Sequence, residues 1–78
     1  MKLQLRDPLE PDVMRGVTAA VLRADIGSRV NFERDARIVR IENWLTVDET
    51  VDAIAREGYV IAAIVDVSNV TSMFHSKR

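Results

Sequence analysis

Apolar and polar positions alternate at the start of the chain. Leu3 and Leu5 are interleaved with Lys2, Gln4 and Arg6, the period of two of a strand with one buried face. Asp7-Pro8-Leu9-Glu10-Pro11 breaks that pattern and reads as a loop. A helix is predicted from about Pro11 to Asp25. Pro11 suits the first helical position, and Val13, Val17, Ala20, Val21 and Ala24 form one apolar stripe. Gly16 interrupts the stripe at a cost of about 1 kcal/mol against Ala. Gly27 is expected to close this helix as a left-handed terminator.

Alternation returns in Arg29-Val30-Asn31-Phe32-Glu33 and in Arg37-Ile38-Val39-Arg40-Ile41, with Ile38 as an extra apolar residue. The short polar link between them predicts an antiparallel hairpin. Thr46-Val47-Asp48-Glu49 has the form of a capping box, and Val47, Val51, Ile54 and Ala55 follow at helical spacing up to Gly58. Tyr59–Val67 is β-branched and continuous, which predicts a buried last strand. The order β-α-β-β-α-β is that of the ferredoxin-like split βαβ motif. The expected fold is therefore α+β: a four-stranded antiparallel sheet with two helices on one face. It occupies residues 1–67. The polar segment 68–78, with Val70, Met73 and Phe74 as its large apolar residues, is expected to be either disordered or an added strand.

Composition narrows the possible chemistry. The chain has 78 residues, no cysteine, and 11 Lys and Arg against 12 Asp and Glu. A net charge of −1 argues against a nucleic-acid binder driven by bulk charge. The longest apolar run, Tyr59–Val65, falls far short of the roughly 18 residues a membrane span needs. With no signal-peptide pattern at the start, the expected compartment is the cytoplasm. No nucleophile–base pair or glycine-rich phosphate loop is present, so no enzymatic activity is expected. A β-sheet RNA reader would carry aromatics on its central strands. Here those strands present Lys2, Gln4, Arg6, Ile38 and Arg40. The basic cluster Arg29, Arg34, Arg37 and Arg40 is diluted by Glu33 and Asp35 and reads as a solvated hairpin.

Asp7, Glu10 and Asp12 gather where the first helix starts, which suits the positive end of its dipole and could equally suit a hard cation. Glu10, Asp12, Met14 and His75 form the candidate set of non-thiol metal ligands. Trp44 reads as a plug at the end of the sheet in preference to an exposed partner anchor, and Tyr59 as packing for the loop and helix ends.

Three stretches together resemble the heavy-metal-associated domain, the family of soluble copper chaperones and of the N-terminal modules of metal-transporting ATPases. Val17-Thr18-Ala19-Ala20-Val21 is similar to the family's V-x-x-A-L on helix one. The hairpin from Val30-Asn31-Phe32 to Ile41 resembles its V-N-L hairpin. Val51–Tyr59 fits its A-I-x-x-x-G-Y ending of helix two. The resemblance implies the ferredoxin-like fold over residues 1–65. It also implies copper or zinc as the metal, if any is bound. The family's M-x-C-x-x-C motif, counted back from Val17 and Ala20, places its methionine at Pro8 and its two cysteines at Glu10 and Val13. None is retained, so no cofactor is expected. The implied role is protein interaction or regulation in metal handling. The expected partner is a metal transporter or chaperone, docked through Glu10, Val13, Arg15 and Tyr59. The alternatives are metal-ion binding through the non-thiol set Glu10, Asp12, Met14 and His75, or a homo-oligomerising module paired along the last strand.

Overall fold

A computed structural model describes residues 1–68. The elements are β1 (Lys2–Leu5), α1 (Pro11–Ala24), β2 (Arg29–Glu33), β3 (Ile38–Glu42), α2 (Val47–Arg56) and β4 (Ile61–Asp66). All strand pairs are antiparallel, and the sheet order is β2-β3-β1-β4. This is the four-stranded ferredoxin-like sheet with two helices that the order of elements predicts.

The alternation in β1 and β3 sorts the two faces. Leu3 lies opposite Val39 in the register, and both are fully buried with Leu5 and Ile41. Lys2 opposite Arg40, and Gln4 opposite Ile38, occupy the other face. Against the buried face pack Val17, Ala20 and Val21 of α1 and Ile54 of α2. Leu9, from the loop after β1, joins the same core at 3% exposure. Phe32 and Val30 extend it along β2.

The turns follow local chemistry. A short 3₁₀ turn, Arg34–Ala36, joins β2 to β3, and Arg37 closes it at a left-handed φ of 58°. Thr46 and Glu49 form the reciprocal capping box at the start of α2, with the Glu49 N–H donating to Thr46 Oγ1 at 3.1 Å. Thr46→Ala removes that acceptor. The expected loss is about 1 kcal/mol, read as a lower thermal midpoint with an unchanged native circular dichroism spectrum. Gly58 takes the positive φ, 95°, that ends α2.

Three expectations are corrected. Gly27 is not a left-handed terminator: α1 ends at an extended Asp25, φ −151°, whose Oδ1 accepts the Gly27 N–H at 3.0 Å. The carboxylate makes the turn, so no left-handed residue is needed. The last strand is not a buried one: it begins at Ile61 and forms the sheet's edge. Ile64, Val65 and Val67 are 49%, 50% and 66% exposed, although Ile64 sits opposite the fully buried Leu3. The register shifts twice along β1 and β4, irregularities that blunt a regular edge. Trp44 is no plug: it is 78% exposed. β3's inward phase runs Val39, Ile41, Asn43, so Asn43 takes the buried place and Trp44 falls on the outward phase. The expectation of disorder or an added strand at 68–78 concerns, beyond Ser68, residues outside the described ones.

Candidate functional site

The loop between β1 and α1 is held from several sides. The Arg6 N–H donates to the Val60 carbonyl at 3.0 Å, and the Leu5 N–H to the Arg37 carbonyl at 2.8 Å. Leu9 turns into the core while its carbonyl accepts from Arg34 Nε at 3.0 Å. Arg37 Nη1 donates to the Arg6 carbonyl at 3.4 Å. Two arginines of the hairpin thus brace the loop through its backbone.

Around this braced loop the candidate residues separate into two groups. Glu10 is the exposed N-cap of α1, with no cap hydrogen bond from its side chain. Asp12 is exposed in the first turn, and Arg15 Nη2 reaches its Oδ1 at 2.8 Å. Exposed pairs of this kind contribute at most about 1 kcal/mol. Val13 and Met14 lie inward, half-buried against the core. Tyr59 is also half-buried and packs against the core.

The hydroxyl end of Tyr59 lies over Gly16, in the space that a Cβ at position 16 would take. This gives Gly16 a reason that periodicity alone cannot supply. The glycine weakens the helix but lets the aromatic ring cross α1 closely.

Of the proposed metal ligands, Glu10 and Asp12 share the first turn of α1. Met14 is turned to the core instead of joining them. His75 lies outside the described residues. Among the described residues no group of three or more His, Cys, Asp or Glu side chains is placed to hold a metal ion. Of the proposed docking residues, Glu10 and Arg15 present exposed side chains, while Val13 and Tyr59 mainly serve packing. None of the helices described is long and apolar enough to cross a membrane.

The sequence reading missed one buried polar cluster, at the opposite end of the sheet. Asn43 and Thr50 are 2% and 0% exposed. Asn43 Nδ2 donates to Thr50 Oγ1 at 3.3 Å, and Asn43 Oδ1 accepts the Leu45 N–H at 3.2 Å. The pair fixes the turn from β3 into α2. The continued alternation past Ile41 was the available signal for it.

Comparison with solved structures finds the same architecture elsewhere. The copper chaperone Atx1 from Synechocystis PCC6803, in a trimeric Cu1 form, superposes with a TM-score of 0.75 at 24% identity. The match covers 78% of this chain and 97% of that one. The Cu2 form of the same chaperone gives 0.73 at 23%, with the same coverage. A gold binding protein gives 0.73 at 20%, over 78% of this chain and 94% of that one. At these identities the likeness establishes a copper-chaperone-like fold. No protein-family model matches the chain, and no curated protein does.

Proposed function

We propose that this chain is a copper-chaperone-type scaffold that acts by binding protein in a metal-handling system, and that its own loop does not carry thiolate-bound metal. The observation behind the reading is the state of the loop. Glu10 and Val13 stand where the resemblance would put two thiolates, one exposed and one packed inward, on a backbone braced by Arg34 and Arg37. A carboxylate and an isopropyl group offer a soft, low-coordinate ion such as Cu(I) no soft donor. The exposed first turns of α1, with Glu10 and Arg15, are the docking surface of this reading. The partner is a metal transporter or chaperone, and the role is binding, not catalysis. Its setting is the cytoplasm.

The test is an amide NMR titration of the chain with Cu(I) under reductant, then with Zn(II). The expected result is no saturable shift at Asp7–Met14 or Tyr59 at stoichiometric metal. Saturable shifts there would overturn the reading in favour of non-thiol ligation by Glu10 and Asp12.

A further inference from the structure

The two edges of the sheet differ in kind. β2 places Arg29, Asn31 and Glu33 at alternate positions, and charged side chains of this sort keep an edge from pairing. β4, the other edge, has almost no such protection. From Tyr59 to Val67 the one charged residue is Asp66, and there is no lysine, arginine or proline. Val60, Ile64, Val65 and Val67 are 41%, 49%, 50% and 66% exposed, and Ala62 and Ala63 between them are exposed as well. Among the described residues no strand lies beyond β4. An exposed apolar edge is a template for a further strand.

The charges at the two ends of β4 say which strand fits. Asp66 stands at the end of the strand, opposite Lys2 in the register. Arg6 stands at its start, where its N–H donates to the Val60 carbonyl at 3.0 Å. Arg6 follows Lys2 and Gln4 on the open face of the sheet, and Asp66 shares that face through its pairing with Lys2. The Arg6 side chain is exposed and touches Asp7 at 3.2 Å, an exposed pair of small worth. An edge that is positive at one end, negative at the other and apolar between is complementary to itself in the antiparallel sense. A parallel copy would set Asp66 beside Asp66, which is repulsive.

We propose that β4 pairs with β4 of a second copy, antiparallel about a two-fold axis at Ala63, and joins two four-stranded sheets into one of eight strands. A two-fold axis normal to a sheet sets one residue opposite its own copy, and Ala63 is the choice that uses the charges. Asp66 then lies opposite Val60 of the second copy, two strand spacings, about 10 Å, from the second copy's Arg6 and within reach of its long side chain. The two Asp66 positions lie about 20 Å apart along the strands. A register centred on Asp66 itself would bring the carboxylates together instead. The register of β4 with β1 passes over Ala62 and Val65, irregularities that confine regular pairing to a short stretch around Ala63. A six-residue strand buries less than the about 800 Å² per partner of a standard interface, so the homodimer is weak and reversible. The proposal does not rest on the metal chemistry of the loop at 6–10.

The chain has no cysteine, so single introduced thiols report the register directly. Residues directly opposite in an antiparallel pair have Cα atoms about 4.5–5.5 Å apart, inside the disulfide range. Ala63→Cys is therefore expected to form a covalent dimer in a glutathione redox buffer under conditions where Ala19→Cys, on the exposed side of α1, stays a single chain. Sedimentation velocity of the parent chain is expected to show mass rising from one chain to two with concentration. Val65→Lys, which charges the edge without touching the core, is expected to abolish that rise. Asp66→Lys is expected to weaken the dimer about tenfold, and Arg6→Glu/Asp66→Lys to restore it. Circular dichroism verifies that each variant keeps the parent fold. A mass of one chain at every concentration would overturn the proposal. So would a dimer that survives Val65→Lys, because another surface would then hold it. Equal cross-linking at positions 63 and 19 would overturn the register and the proposal with it.

Discussion

Glu10→Cys combined with Val13→Cys is expected to convert a chain with no saturable Cu(I) uptake into one that binds a single equivalent. The spacing puts the two thiols at the N-cap and the third residue of α1, an i,i+3 pair one turn apart. The positive end of the helix lowers thiol pKa values, which favours the thiolates that soft ions need. Glu10 is exposed and its side chain caps nothing, so its replacement removes no hydrogen bond from the helix. Val13 is half-buried, and cysteine packs there as a small hydrophobe of similar size. The loss in stability should stay below about 1.5 kcal/mol. Competition with a coloured Cu(I) chelator, on the parent and the double variant side by side, checks the expectation. A folded double variant that takes no Cu(I) would show that the braced loop cannot bring two thiolates onto one ion. Arg34→Ala, which frees the Leu9 carbonyl, would then be the next change to make.

The arrangement of elements was readable because several independent signals agree. Leu3 and Leu5 fix the phase of β1, Thr46 and Glu49 mark the start of α2, and Gly58 marks its end. The misreadings share a cause. Whether an apolar residue is buried depends on what lies over it, and one strand's pattern does not carry that information. The continuous run in β4 looked interior, but the topology puts it at the sheet edge. Trp44 looked like core by residue type, but Asn43 holds the inward position beside Thr50. The candidate site divides in the same way. The exposure of Glu10 and Asp12 at the start of α1 follows from the helix start that Pro11 marks. The inward turn of Met14 and the passage of Tyr59 over Gly16 needed the packed structure.

Ile54→Ala is expected to be the most damaging single aliphatic truncation in α2. Ile54 is the one large apolar side chain of α2 that is fully buried. The other buried residue of that helix, Thr50, spends its hydroxyl on the Thr46 carbonyl at 3.0 Å and on Asn43. Val47 and Val51 are only half-buried, so they cannot close over the cavity that the substitution leaves. Removing a buried isoleucine down to alanine costs about 2–5 kcal/mol when the site cannot collapse. For a domain of this size, about 3 kcal/mol corresponds to a fall of roughly 12–24 °C in the thermal midpoint. Asp52→Ala on the exposed side of the same helix is the comparison. It breaks the Arg56–Asp52 pair at 2.7 Å but touches no core, so it should change stability by no more than about 0.5 kcal/mol. Thermal melts of both variants decide the matter. If Asp52→Ala lowered the midpoint as far as Ile54→Ala, α2 would be held by its surface charges and not by its single buried anchor.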